Sequence, residues 1–334
     1  MRAWQISSFG IDSLEFVERP TPEPGPGEVL VAVRAISLNY RDLMVVKGKY
    51  NPKMKLPRIP CSDGAGEVVS VGEGVTAWKA GDRVMGIFMQ NWLEGRLTAA
   101  KAKGALGGDV DGMLADHVVL RETGLVEIPT HLSFQEAATL PCAAVTAWNA
   151  LAAGDLMPGE TVLIQGSGGV SIFALQFARL RGLRVIGISS SDQKLEWMAA
   201  QGLDAGLNYR TDPDWDTWAR LQTDGEGVDL VVEVGGMGTL PRSLKALKVG
   251  GTVAQIGVLT EQADPISIGA ILHKVARIQG IYVGSRADFV EMNKAVSLAQ
   301  MRPVGEEFHW AQTVEVFNRM EEASHFGKMV LSVS

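Results

Sequence analysis

The run Gln165-Gly166-Ser167-Gly168-Gly169-Val170-Ser171 constrains this chain more than any other. Ahead of it lies Thr161 to Gln165, a short apolar stretch. Behind it lies Val170 to Arg181, where Ile172, Leu175, Gln176 and Ala178 to Leu180 recur at the spacing of a helix packed on a sheet. A second apolar stretch, Arg184 to Ser189, follows. Strand, glycine-rich turn, helix and strand within about thirty residues predict a right-handed crossover between parallel strands. Glycines let the backbone approach an anion closely, and the first turn of the helix offers free N–H groups and the positive end of its dipole. The turn is therefore read as a phosphate loop. Ser171 stands where the usual pattern has its third glycine, and it is small enough for close packing.

Two further apolar stretches, Val228 to Val234 and Gly251 to Gly257, extend the alternation into a doubly wound parallel sheet. The opening third reads differently. Pro20 to Gly27 (PTPEPGPG) is a rigid turn, and Glu28 to Ile36, Gly64 to Val71, Asp82 to Ile87 and Ala115 to Leu120 are short strands with irregular links, as in an antiparallel barrel. Ser133 and Glu136 form a capping box before an alanine-rich segment. Ala137 to Ala153 is uncharged, but Pro141 and Asn149 interrupt it and it falls short of the ~20 apolar residues of a spanning helix, so a buried helix is expected. After Ile281 come one helix, Asp288 to Gln300, and a closing strand, Gly327 to Val333, too little for a third domain. The expected organisation is a first domain of residues 1–128 completed by 285–334, with a dinucleotide-binding domain of 129–284 inserted.

A length of 334 residues with 46% hydrophobic and 21% charged residues suits two globular cores. The formal net charge of -7 argues against nucleic acid or an anionic membrane as partner. Met1 to Phe16 lacks a basic start before an apolar run, and with only Cys61 and Cys142 no disulfide framework exists, which points to the cytoplasm. Two cysteines and five histidines also limit metal chemistry.

The strand ending at Ser189 continues as Ser190-Ser191-Asp192-Gln193-Lys194. An NAD-specific fold places an acid at that strand end to hold the adenosine ribose. None is there. Lys194 carries a charge suited to a phosphate; the competing reading makes the serines a helix cap and Lys194 a solvated surface residue.

Several motifs in consistent order resemble the medium-chain dehydrogenase/reductase superfamily across the chain: PGPGEVLV near the start, Pro60-Cys61-Ser62-Asp63-Gly64-Ala65-Gly66, Gly81-Asp82-Arg83-Val84, Leu140 to Trp148, the glycine turn, and His325-Phe326-Gly327-Lys328. The zinc-free quinone oxidoreductase and alcohol-dehydrogenase-like branch is the most similar. The resemblance implies an α/β fold in which a Rossmann doubly wound parallel sheet joins a groES-like β-barrel catalytic domain. Zinc-containing relatives carry a catalytic cysteine where Asn39 stands, and their Gly-His-Glu is Cys61-Ser62-Asp63 here. Cys142 could match a third ligand, but one thiolate without partners does not hold zinc, and the lobe near Asn91 to Asp111 has no cysteine. No metal is expected, and both cysteines are expected to be small core residues.

By resemblance, Lys194 and Tyr209 grip the 2'-phosphate of NADPH, aided by Ser189 and Ser190, while Gly166, Ser167, Gly168, Gly169 and Val170 take the pyrophosphate. Asn39 and Tyr40 lie at the nicotinamide and substrate, although Tyr40 could equally be core, and Thr146 lies at the cofactor amide or ribose. Gly235, Gly257, Tyr282 and Val283 flank the cofactor, and Phe326 and Lys328 are its terminal contacts. Hydride would pass from NADPH to a quinone or enone, with Asn39, Tyr40 and Tyr50 as candidate donors to the developing oxyanion. The rivals are a 2-enoyl thioester or alkenal reductase, an alcohol dehydrogenase, and an NADPH-binding protein with little catalysis. Relatives pair Rossmann edge strands, so Arg277 to Val283 (RIQGIYV) predicts a homodimer.

Overall fold

A computed structural model describes residues 1–260 and 265–333. The chain divides into two units, Met1–Val145 with Val283–Ser334, and Thr146–Tyr282.

The first unit begins with an antiparallel pair, β1 (Arg2–Ile6) and β2 (Leu14–Glu18). It continues through β3 (Glu28–Ser37), α1 (Tyr40–Val46), β4 (Asp63–Val71), β5 (Arg83–Gly86), β6 (His117–Arg121), β7 (Leu125–Glu127) and α2 (Phe134–Ala138). Strand β3 organises the sheet: β4 pairs antiparallel along its length, and β6 along its first half. Beyond β4 come β5 and β7, both antiparallel. The alternation of β3 understates its burial, since Arg34 is its one exposed residue. Helix α2 packs against β3 and β4, so residues on both faces of the strand are covered.

The capping box holds as the spacing predicts: Ser133 Oγ accepts from Glu136 N at 3.1 Å, and Glu136 Oε2 from Ser133 N at 2.8 Å. The single helix expected over 137–153 is not continuous. Residues Leu140–Ala144 form a π-helical turn before α3 (Val145–Ala153). Pro141 has no N–H to give to a helical ladder, and a widened turn accommodates that loss.

The second unit contains α3, β8 (Thr161–Gln165), α4 (Gly169–Leu180), β9 (Arg184–Ser189), α5 (Asp192–Ala200), β10 (Ala205–Asn208), α6 (Trp215–Leu221), β11 (Val228–Glu233), α7 (Leu240–Ala246), β12 (Leu247–Gln255), α8 (Ile268–Lys274) and β13 (Arg277–Gly280). Among the described residues its six strands are parallel, in the order β10-β9-β8-β11-β12-β13. This is the doubly wound order whose direction reverses between β8 and β11. Leu163, Ile186, Val231 and Val253 form its core with Trp215 and Leu244.

The chain then returns to the first unit with α9 (Arg286–Leu298), β14 (Gly305–His309), α10 (Thr313–Glu321) and β15 (Lys328–Ser332). Strand β15 lies antiparallel to the end of β3 and parallel to β14. Lys328 is thereby brought beside residue 38 at the end of β3. Among the described residues no helix is long and apolar enough to cross a membrane.

Candidate active site

The phosphate loop sits where β8 meets α4, next to the point at which the strand order reverses. Gly166 has φ +71, a left-handed conformation that favours glycine, and its N–H donates to Ile188 O at 2.7 Å. A Cβ built at Gly166 or Gly168 meets no atom within 4 Å, so the backbone there borders open space. Gly168 is the N-cap of α4 without a side-chain cap, which leaves first-turn N–H groups for an anion. The departure at Ser171 has a physical account: its hydroxyl donates to Gln165 O at 2.6 Å, tying the helix back to the strand end. The loop fits the pyrophosphate of a dinucleotide.

At the adjacent strand end, Ser189 is buried, and Tyr209 N donates to its carbonyl at 3.0 Å. Ser191 caps α5 by accepting from Lys194 N, and Tyr209 follows β10, whose Asn208 pairs with Ser189 at the end of β9. Asp192, at the start of α5, accepts from Asn208 Nδ2 at 2.9 Å. Gly235 and Gly257 serve the loops after β11 and β12. Gly235 N donates to Gln165 Oε1 and Glu233 Oε1, and a Cβ at Gly257 would lie 1.8 Å from Val234 O. Thr146 is buried and Tyr282 is exposed.

In the first unit, a buried polar cluster forms where α1, β4 and β15 begin. Lys328 Nζ donates to Leu38 O at 2.6 Å and to Asn39 Oδ1 at 2.5 Å. Asn39 Nδ2 reaches Ser62 Oγ at 3.4 Å, Ser62 Oγ donates to Asp63 Oδ1 at 2.6 Å, and Asp63 Oδ2 accepts from Cys142 N at 3.0 Å. Lys328 is 3% exposed and Asp63 fully buried. Burial raises the Asp63 carboxyl to about 6, against the pull of Lys328. Burial likewise pushes the thiols of Cys61 and Cys142 up, with Asp63 adding to it in each. Cys61 is fully buried, as expected of a core residue, whereas Cys142 is partly exposed.

Next to this cluster, Arg41 stacks its guanidinium over the rings of Tyr50 and Phe88, 4.9 Å from each centroid, and donates to Leu106 O at 2.6 Å. Asp42 accepts from Asn39 N at 2.8 Å. The structure thus brings Asn39 together with Lys328, while Tyr50 meets Arg41 and Tyr40 is exposed on the first turn of α1. Phe326 N donates to Glu306 Oε1 at 3.0 Å, and Val283 is buried with φ +57. Sequence reasoning passed over Arg41, Asp42, Ser62 and Asp63 as site residues. Their signal was polar and charged side chains set at the very start of apolar elements, where burial makes pairing obligatory.

The family models agree with this architecture. Residues 25–130 match the alcohol dehydrogenase GroES-like domain, and residues 169–298 match the zinc-binding dehydrogenase model. A zinc-type alcohol dehydrogenase-like protein of Schizosaccharomyces pombe is 42% identical over 97% of this chain and 96% of its own length. The chain belongs to the medium-chain dehydrogenase/reductase superfamily. Among other superfamily members, an acryloyl-coenzyme A reductase of Metallosphaera sedula is 30% identical over 95% of this chain and 96% of its own. A crystal structure of an NAD-dependent alcohol dehydrogenase superposes with a TM-score of 0.92 at 34% identity, covering 100% of both chains. This dehydrogenase/reductase is an oxidoreductase of the alcohol dehydrogenase-like kind.

The name of the second family model raises zinc directly, and the donors here do not fit it. Asn39 and Ser62 are neutral side chains that stand where a thiolate and an imidazole would be needed, and the Lys328 ammonium lies against Asn39. Among the described residues no group of three His, Cys, Asp or Glu could hold a metal ion.

Proposed function

We propose that this superfamily member is a zinc-independent, NADPH-dependent reductase that passes hydride to a quinone or enone-type acceptor. The observation that carries the reading is the Lys328–Asn39–Ser62–Asp63 cluster, which sets hydrogen-bond donors and a fixed positive charge where zinc relatives have ligands. Bound NADPH would supply hydride, and a conjugated acceptor reduced at carbon would gain negative charge on its carbonyl oxygen, to be completed by a proton from water. That oxygen needs donors, and Asn39, Tyr40 and Tyr50 are the candidates. Tyr50 lies against Arg41, which leaves Asn39 the best positioned of the three.

The preference for NADPH is supported by the end of β9, where Ser189 and Ser190 stand in place of an acid and Tyr209 and Lys194 adjoin. A 2'-phosphate would be repelled by a carboxylate there and welcomed by hydroxyl and ammonium donors. Thr146, Gly235, Gly257, Tyr282, Val283 and Phe326 complete the proposed cofactor contacts, within domains of 1–128 with 285–334 and of 129–284. A homodimer through β13 is part of the reading, because that strand ends the sheet and is exposed throughout. So is a cytoplasmic setting, in keeping with two free cysteines.

A second reading, reduction of a 2-enoyl thioester, is favoured by the likeness to the acryloyl-coenzyme A reductase, whose name describes a conjugated thioester substrate. A turnover panel of quinones, enones, enoyl thioesters and simple alcohols with each cofactor, run alongside elemental analysis, tests the proposal. Activity on quinones or enones with NADPH, unchanged by a chelator, is expected. Zinc at one or more ions per chain, lost together with activity, overturns it.

A further inference from the structure

The Asn39 carboxamide has one orientation that chemistry permits. An ammonium has three donors and no acceptor, so the atom 2.5 Å from Lys328 Nζ is the oxygen. The amino group then faces away, with one N–H toward Ser62 Oγ at 3.4 Å and the Asp63 carboxylate behind it. Ser62 uses its own proton on Asp63, and every link runs the same way, from cation through amide and hydroxyl to carboxylate. The participants are all buried: Asn39 is 9% exposed, Lys328 3%, and Ser62 and Asp63 not at all. Buried chains of this kind polarise one another and hold their members in one geometry.

We propose that Lys328 and Asp63 are positioning residues acting through Asn39: they fix its carboxamide with the oxygen inward, so that the remaining N–H is presented to the acceptor's carbonyl oxygen. This rests on the function proposed above and adds to it the identity of the electrophile and its support. The ammonium on the amide oxygen withdraws electron density from the amide nitrogen and strengthens the N–H as a donor. It supplies positive charge at the site without coordinating anything. Lys328 was expected from resemblance to touch the cofactor, and the two roles make opposite predictions.

The test is a cycle of Asn39→Ala, Lys328→Met and the double variant, with kcat for the best acceptor and Kd for NADPH from its fluorescence. Asn39→Ala should lower kcat by about 100- to 1000-fold, as loss of an oxyanion donor does. Lys328→Met should lower it at least 10-fold with NADPH Kd within about threefold of wild type, and Lys328→Arg should recover most of the loss. The double variant should match Asn39→Ala alone, because residues acting through one group are not additive. Multiplying losses, or NADPH affinity falling more than tenfold in Lys328→Met, makes Lys328 a cofactor contact and overturns the proposal. Wild-type kcat in Lys328→Met beside a crippled Asn39→Ala removes the positioning role alone. Full activity in Asn39→Ala, or no turnover of any conjugated acceptor by wild type, removes the underlying function and the proposal with it. Should Lys328→Met fail to fold, Ser62→Ala breaks the same chain while keeping the ammonium, and is expected to lower kcat about tenfold with NADPH Kd unchanged; unchanged kcat there rejects the proposal.

Discussion

Gln165, at the end of β8, donates its side-chain amide to Glu233 Oε2 at 2.8 Å, tying it to the end of β11 across the point where the strand order reverses. Glu233 is fully buried and also accepts from Gly235 N, Gly236 N, Thr239 Oγ1 and Ser243 Oγ. Gln165 Oε1 in turn accepts from Gly235 N at 3.1 Å. The two side chains therefore hold the loop after β11 beside the phosphate loop, within one unit.

Removing the carboxylate strands several buried donors at once. Each costs about 1 to 3 kcal/mol when left unsatisfied. Glu233→Ala is expected to lose roughly 3 kcal/mol or more of unfolding free energy in urea and to weaken cofactor binding. Glu233→Gln, which keeps the oxygen that accepts from the glycines, should lose less. Equal and small losses in both would show that the network is dispensable.

Lys194→Ala should weaken NADPH and spare NADH. A hydrogen bond to a charged group contributes about 1.5 to 3 kcal/mol, which at ~1.4 kcal/mol per tenfold is roughly 10- to 200-fold in Kd. Tyr209→Phe should act in the same direction by less. Titration of each protein with both cofactors decides. Unchanged NADPH affinity in the variant removes Lys194 from the site, and wild type favouring NADH removes the NADPH assignment.

A paired edge predicts that charge at β13 disperses the dimer. Ile278 is exposed on that strand, and Leu272 is exposed on the preceding α8. Wild type should scatter light at twice the monomer mass, and Ile278→Lys with Leu272→Glu should fall to the monomer while binding NADPH as before. Wild type at monomer mass over a wide concentration range ends the dimer reading.

The parallel sheet was the more legible half. Its central strands are buried on both faces and carry nearly continuous β-branched runs, so Thr161–Gln165 and Arg184–Ser189 match the reading residue for residue. Strand β14, reading GEEFH, escaped notice because its composition carries no apolar pattern and only pairing with β15 makes it a strand. In the site, Asn39 and Lys328 were both singled out, but their hydrogen bond was not. They are 289 residues apart in sequence, and only the return of β15 to β3 joins them. Ser62 and Asp63 were noticed for what they lack as metal ligands, since a single sequence does not reveal that each completes a chain begun by the other two.

The last prediction concerns Asp63 and pH. Its ordinary carboxyl value of 3.8 is raised to about 6, first by burial and then by Asp42, while Lys328, Ser62 and Asn39 pull the other way. Arg41 and the thiols of Cys61 and Cys142 also face this cluster, and both thiols stay protonated through the range concerned. Because the folded state holds the Asp63 proton more tightly than the unfolded chain, the group's contribution to stability is fully present below about pH 4. It is lost as pH rises through about 6. A rise from 3.8 to about 6 corresponds to a difference of about 3 kcal/mol. Asp63→Asn has no proton to release and should lack this component. Urea unfolding at pH 4.5 and pH 7 is therefore expected to show wild type losing stability relative to the variant over that window, by about 2 kcal/mol, since at pH 4.5 the unfolded carboxyl is already largely ionised. Comparing the two proteins cancels the other carboxylates, which titrate in both. Parallel pH dependence in wild type and variant would mean that Asp63 is ionised throughout, with Lys328 overcoming its burial.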